Sequence, residues 1–480
     1  MTSRKETAAL PAIVWFRQDL RLCDNPALAA AVAAKVPIMP VFVLDDAAAG
    51  AWKAGGASRW WLHKSLEALA RDLAKRGSRL ILRLGQAETI LPALVAETGA
   101  RSVFWNRLYE PWATARDATL KQTLKARGVA VTSFNGSLLK EPWEVKTGGD
   151  TPFKVFTPFW RAARSTLTPA SALPAPKSLM PCDAWPASDA LADWQLLPTR
   201  PDWARGFAGV WTPGEAGARA RLAAFVDDGL LRYADGRDKP AEDNTSRLSP
   251  HLHWGEISPR QVWHAIEVAK QSPRAEANGD KFLSEIGWRE FSYHLLYHFP
   301  TLPERNFRPA FDAFPWADDK AGFRAWTKGE TGYPLVDAGM RELWVTGTMH
   351  NRVRMAAASF LIKHLMVDWR RGAAWFWDTL CDADLANNSA SWQWVAGSGA
   401  DAAPYFRIFN PVLQGEKFDP DGVYVRRWIP ALEGCDTRFV HRPWEAPNFR
   451  ALGYGAPIVA HDRARTRALD AFQALGAKAG

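Results

Sequence analysis

The first 135 residues alternate between short apolar runs and longer segments of helical period. Ile13–Phe16, Pro37–Leu44, Leu80–Leu84, Val103–Trp105 and Val129–Phe134 are β-branched or aromatic and bounded by turn residues, so they read as strands. Between them, Ser58–Arg76 and Ala113–Arg127 repeat apolar positions every three or four residues, as helices do. Strand and helix alternating in this way predict a parallel, Rossmann-like α/β sheet with right-handed crossovers, which takes ligands beyond the carboxyl ends of its strands. The turn after the first strand, Phe16-Arg-Gln-Asp-Leu-Arg, carries no glycine, and no G-x-x-x-x-G-K-[ST] occurs anywhere. Standard NAD and P-loop sites are thereby excluded.

From residue 136 to 212 the pattern breaks. Prolines at 142, 152, 158, 169, 174, 176, 181, 186, 198 and 201 predict a long interdomain connector wrapping the surface with little regular structure. From 213 to 480 the period is helical again, as in Arg219–Asp227, Lys281–His298 and Asn351–Met366. The expected architecture is an α/β domain over 1–135, a connector, and an all-α domain over 213–480.

Composition adds three constraints. With 480 residues the chain exceeds one ordinary core. It has no run of 18 apolar residues and no apolar leader in Met1–Leu10, so neither a membrane span nor secretion is expected. Its four cysteines, Cys23, Cys182, Cys381 and Cys435, lie far apart with no C-x-x-C pair, so a reduced cytoplasmic protein without structural zinc is expected. The formal net charge of +9 is compatible with a polyanionic partner. Of the 25 tryptophans most follow residue 200, and they serve either as a large aromatic core or as rings that stack on bases or relay electrons.

Four segments of the helical half carry candidate chemistry. Asn244-Thr-Ser-Arg-Leu-Ser-Pro-His251 is a hydroxyl-rich helix start, either an ordinary N-cap or a place for an anion such as a pyrophosphate. On a helix Glu285, Trp288 and Arg289 share one face, suited to a flat ligand with polar edges or to an amphipathic surface. His294 and His298 lie at i, i+4 without the H-E-x-x-H context, so packed or exposed histidines are expected there instead of metal ligands. Met349-His-Asn-Arg-Val-Arg-Met355 concentrates donors on a helix start. Asp382-Ala-Asp-Leu-Ala-Asn-Asn-Ser-Ala-Ser-Trp-Gln-Trp394 combines two acids, an amide pair and two tryptophans. No further hard ligands surround its acids, so no metal is expected; salt bridges to Arg237 or Arg352 around a cofactor are the alternative.

With these segments in view, the chain resembles the photolyase/cryptochrome family over nearly its whole length. Val14–Pro26, Asn244–Pro250, Ser284–Phe291, Thr331–Asp337, Met349–Met355, Asp382–Trp394, Ala402–Pro411 and Gln414–Lys417 follow in that family's order. The resemblance is to bacterial cyclobutane pyrimidine dimer photolyases of the class III branch close to plant cryptochromes. It implies an antenna domain at the N-terminus and a helical domain holding FAD, acting as a monomer on UV-damaged DNA. Carried over residue by residue, it assigns the flavin to Tyr233, Arg237, Thr245, Ser246, Arg247, Leu248, Ser249, Phe282, Arg289, Asn351, Asp382 and Asp384. Asn388 would face flavin N5, and Phe282 stands where many members carry Trp. Glu285, Trp288, Asn351, Met355 and Trp394 would line a pocket for a flipped-out lesion, with Arg352, Arg407 and Gln414 on backbone phosphates. Trp392, Trp369 and Trp316 match the relay that reduces FAD under light, with Trp375 and Trp377 offering another route.

The implied activity is light-driven splitting of the cyclobutane ring by an electron from excited reduced FAD, with Glu285, Asn388 and the tryptophans as the working residues. The rival is a cryptochrome photoreceptor without repair. Plant cryptochromes carry Asp where this chain has Asn388, and Asp462–Gly480 forms only a short helical end, both favouring repair. Asn351, where the (6-4) branch places a histidine, favours cyclobutane dimers. For the antenna, 5,10-methenyltetrahydrofolate is expected, with deazaflavin or no pigment as alternatives, and Asn106 and Glu110 are candidate contacts.

Overall fold

The computed structural model describes residues 10–402 and 406–478. The motif residues Ala403, Pro404 and Tyr405 and most of the N-terminal stretch read for a leader lie outside the described residues. Five parallel strands, β1 (Ala12–Phe16), β2 (Ile38–Leu44), β3 (Ile81–Leu84), β4 (Ser102–Asn106) and β5 (Ala130–Phe134), form one sheet in the order β3-β2-β1-β4-β5. Central β1 pairs Ala12 with Ile38 on one side and with Ser102 on the other. All residues of β1 and β2 are buried, because crossover helices cover both faces, and this is why the two runs read as continuously apolar. Each expected strand agrees with the observed one to within a residue at either end. The order reverses beside β1, and the switch point opens toward the helical half.

The stretch 136–212 carries an α-helix, Phe156–Ser165, and three short 3-10 turns amid irregular backbone, and it is no loose wrapping. Leu179, Trp194, Leu196, Phe207 and Trp211 are buried in the same cluster as β1, β2 and the helix Gly56–Ala74. Their apolar positions follow neither helical nor strand period, so sequence pattern does not expose them. Near the start of this stretch, Leu139 and Lys140 donate their amides to one carboxylate oxygen of Glu290, at 2.9 and 3.1 Å. The other oxygen is buried without a hydrogen-bond partner. Burial pushes this carboxyl up to about 7 against the pull of Arg289 and the two amides. Because the folded pKa is raised, the folded state holds a proton that the unfolded chain releases, and stability falls as pH rises from the ordinary carboxylate range to about 7. Glu290→Gln keeps an oxygen for both amides, and its melting temperature is expected to lose that decline. Thermal melts of both proteins across this pH window check it.

Arg21 binds the halves together. Its buried guanidinium donates to the carbonyls of Asp24 (2.7 Å), Gly136 (2.6 Å) and Gly255 (2.8 Å). Asp24 in turn pairs with Arg260 at 2.7 Å, and the Leu22 amide donates to Glu215 at 2.8 Å. The remaining chain is helical around two large buried clusters. One contains Tyr233, Leu248, Phe282 and Leu385, the other Val353, Trp369 and Trp392. Among the described residues no helix is long and apolar enough to cross a membrane.

Candidate functional site

The four motifs of the helical half meet at the seam between those two clusters. The long helix Pro273–His298, capped by the Ser272 hydroxyl, presents Glu285, Trp288, Arg289 and Tyr293 at helical spacing. Arg237 forms an ion pair with Glu285, and its neighbour Asp238 accepts from Arg352 at 2.6 Å. Two residues beyond Arg352, Arg354 pairs with Asp382 at 3.0 Å, and the Ser249 hydroxyl donates to the same carboxylate at 2.6 Å. A chain of charge-assisted bonds thus runs through all four motifs. The expected partners are exchanged: Asp382 takes Arg354, while Arg237 and Arg352 take Glu285 and Asp238. Arg352 and Arg354 lie on opposite sides of their helix, which spacing along the chain does not resolve.

Asp384 is the most enclosed acid of the site. It caps the helix Leu385–Ala396 by accepting from the Asn387 amide at 2.8 Å, and it accepts from the Tyr293 hydroxyl. His253 lies 3.6 Å away. Burial alone would raise this carboxyl, but the His253 ring, the Arg289 guanidinium and the Tyr293 hydroxyl outweigh it and hold the group far below the usual carboxylate range. Sequence reasoning missed Tyr293 and His253. Each stands one helical turn beyond a named residue, Arg289 and Ser249 respectively, and that spacing is the signal that could have found them.

Polar side chains line the seam while their neighbours are packed. Thr245, Ser246 and Arg247 are half-buried and Ser249 and Asn351 exposed, between buried Leu248, Pro250 and Val353. Leu248 gives its side chain to the core, so only its backbone faces the seam. Arg247 adopts φ 50°, a left-handed turn that sends the chain into the helix Ser249–His253. Tyr233 and Phe282 close one wall edge to face, 5.2 Å apart. Asn388 donates its amide to the Ala373 carbonyl at 3.1 Å, and its oxygen takes no hydrogen bond from a described protein group. Arg289 donates to the Ser137 carbonyl at 2.7 Å.

Beside this seam, Trp288 has one ring face covered by Phe156 (3.8 Å, nearly parallel), and Trp394 is held by a 3.0 Å bond to the Asp401 carbonyl. The Met355 sulfur lies 3.9 Å from the Asn351 amide. The Arg352 guanidinium covers the ring of Phe418, one helical turn from Gln414, and Arg407 is exposed on the loop before that helix.

Trp392, Trp369 and Trp316 belong to one aromatic region. Trp392 is buried against Phe376 (5.0 Å), Trp369 donates to the Asn306 amide oxygen at 2.9 Å, and half-buried Trp316 lies 4.4 Å from Phe314. Trp375 and Trp377 border the same region and meet Trp344 and Trp52 on their other sides. A Cβ on Gly372 would sit 2.2 Å from Cη2 of Trp392 and 2.6 Å from Leu361. Gly372→Ala is expected to cost about 1–3 kcal/mol by overpacking and to slow photoreduction by moving the Trp392 ring, which thermal melts and transient absorption measure.

Two candidates fall outside the seam. Asn106 is consumed within the sheet domain, donating to Asp19 at 2.6 Å and Asn25 at 2.8 Å. Glu110 lines a cleft between the two lobes with Gln18, Trp52, Trp112, Arg116 and His253, and one of its carboxylate oxygens is buried without a partner. His294 is occupied by backbone, its Nδ1 donating to the Pro142 carbonyl (3.1 Å) and its Nε2 accepting from the Phe153 amide (3.0 Å).

Comparison with known proteins agrees with this layout. Residues 12–177 match the model of the DNA photolyase family, and 282–474 that of the FAD binding domain of DNA photolyase. The chain is 54% identical over 475 residues to a deoxyribodipyrimidine photo-lyase of Agrobacterium fabrum, covering 97% of this chain and 98% of that one. It is 42% identical to cryptochrome-1 of Arabidopsis thaliana, covering 96% of this chain and 70% of that one. The crystal structure of a bacterial class III photolyase from Agrobacterium tumefaciens superposes with a TM-score of 0.95 at 52% identity, covering 99% of this chain and 100% of that one. A seam that gathers all four motifs, together with this likeness from end to end, makes the chain a member of the DNA photolyase/cryptochrome family.

Proposed function

We propose that the protein repairs cyclobutane pyrimidine dimers in DNA under blue light with FAD as its cofactor. The observation that carries this reading is the 54% identity, over nearly the full length of both chains, to a deoxyribodipyrimidine photo-lyase. The 42% identity to cryptochrome-1 keeps a photoreceptor as the rival, and Asn388, where plant cryptochromes have Asp, favours repair.

The seam suits FAD on chemical grounds. Asp382 and Asp384 offer carboxylates to ring N–H groups, Thr245 and Ser246 offer hydroxyls to phosphates, Ser249 steadies the Asp382 carboxylate, and the unpartnered oxygen of Asn388 can meet flavin N5. Tyr233, Arg237, Arg247, Leu248, Phe282, Arg289 and Asn351 complete the enclosure. Bound and excited, reduced FAD supplies the electron that opens the cyclobutane ring and recovers it afterwards. The chain's own residues do the rest. Trp288 and Trp394 offer ring faces to the flipped bases. Glu285, paired with Arg237, accepts from a base edge, and Asn351 donates to one. Arg352, Arg407 and Gln414 hold phosphates without reading sequence. Trp392, Trp369 and Trp316 conduct electrons toward the flavin from the surface.

For the antenna, a reduced folate in the interlobe cleft beside Glu110 fits better than one at Asn106, whose amide is already engaged. A cytoplasmic monomer accompanies this reading, in keeping with four free cysteines. The decisive experiment incubates purified protein with oligonucleotides carrying defined cyclobutane or (6-4) lesions, in the dark and under blue light. Light-dependent restoration of the cyclobutane lesion alone is expected, with Asn388→Asp impaired. No repair of that lesion would overturn the reading.

A further inference from the structure

Helix Asn351–Ser359 does not end cleanly. It runs into a wider turn, Phe360–His364, in which the Leu365 amide donates to the Phe360 carbonyl at 3.1 Å, an i→i+5 bond. Such turns are uncommon and cluster at functional places. This one carries Lys363, whose side chain is 2% exposed and, among the described residues, pairs with no carboxylate. Its ammonium donates to the backbone carbonyl of Arg407 and lies 4.4 Å from the centroid of the Phe406 ring. Four residues earlier on the same face, the buried Ser359 hydroxyl accepts from the Phe409 amide at 3.3 Å.

A buried ammonium without a counter-charge is costly, and methionine would fill a similar volume without that cost. Lys363 therefore needs a reason beyond packing, and its contacts supply one. Lys363 fastens the carbonyl of exposed Arg407 and Ser359 the amide two residues beyond it. We infer that Lys363 is a positioning residue for DNA: from inside the protein it fixes the strand of loop that aims the Arg407 guanidinium at a backbone phosphate. This rests on the proposed role of Arg407 at the DNA. Lys363 itself touches no substrate.

The surrounding titratable groups are basic or neutral save for one acid. Arg407 faces Lys363 from the loop, and His364 adjoins it on its own turn. The C-terminal helix His461–Lys478 packs on that turn, with His461 2.8 Å from His364 and Arg467 donating to the His364 carbonyl; Asp462 stands at its start. Burial, aided by Arg407, pushes the Lys363 ammonium down to about 7. The fastening is thus complete below that pH and weakens as pH rises through it.

The test measures dark binding of a dimer-containing duplex to the full-length, flavin-loaded protein over a range of salt and pH. Arg407→Ala is expected to weaken binding about five- to tenfold and to reduce the salt slope by about one. Lys363→Met is expected to reproduce both effects with the flavin spectrum unchanged, although it removes a charge that meets no phosphate. Lys363→Arg, which keeps the charge at all working pH, should restore the slope and remove the loss of affinity above neutral pH; it also keeps the test open if the methionine variant does not fold. Wild-type affinity and slope in Lys363→Met, beside a weakened Arg407→Ala, would overturn the inference alone. An inert Arg407→Ala would overturn the assigned role of Arg407 and this inference with it.

Discussion

Asp384→Ala protein is expected to emerge from purification almost free of flavin, colourless where the wild type is yellow or blue. Asp384 organises four partners at once: Tyr293, His253, the Asn387 amide and, by charge, Arg289. Removing it strips the cap from the helix that carries Asn388 and Trp392 and leaves the Tyr293 hydroxyl buried without its acceptor. Breaking one member of a buried charged network costs about 3–5 kcal/mol, which lowers flavin affinity by about two to four orders of magnitude if it falls on the site. Because the folded carboxyl is depressed, its contribution is present at neutral pH and fades only as pH falls below the ordinary carboxylate range. Flavin retention after dialysis, followed by absorbance, measures the effect. Wild-type retention would remove Asp384 from the flavin site.

The second large effect concerns the lesion. Trp288→Ala is expected to weaken dark binding of a dimer-containing duplex by about ten- to a hundredfold, since stacking a base on an aromatic ring contributes about 1–3 kcal/mol. Flavin content should be unchanged, because Trp288 packs on Phe156 and Phe291 and pairs with none of the charged groups along the seam. Affinity for undamaged duplex, which derives mainly from phosphates, should change little. Anisotropy titrations with both duplexes separate these terms. An equal loss on damaged and undamaged DNA would assign Trp288 to general support of the binding face. Trp288→Phe should recover part of the difference by keeping a ring on Phe156.

The sheet was legible because burial on both faces leaves unbroken β-branched runs, and all five strands fall where those runs predict. The long helix begins at Pro273, eight residues before its apolar period becomes plain; the Ser272-Pro273 start is a capping signal that periodicity does not register. The site was legible as a set of residues but not as a set of pairs. Asp382 stands closer in sequence to Trp394 than to Arg354, yet its partner is decided by how one helix is rotated against another. The connector was legible in its prolines and illegible in its burial, since irregular backbone has no period to betray which side chains face inward. Lys363 stands within an apolar segment whose pattern does not mark it, because only the fold reveals that, among the described residues, it pairs with no acid.

The buried Arg21 bridge has a consequence for how such a protein can change. One guanidinium ties the turn after β1, the start of the connector and the Gly255 turn of the helical lobe, and Asp24 and Arg260 repeat the link nearby. Neither lobe can be exchanged for a foreign counterpart without leaving desolvated charge behind. Two halves joined in this way are inherited as one piece, so the cleft between them changes more readily by resculpting its lining than by recruiting another front end.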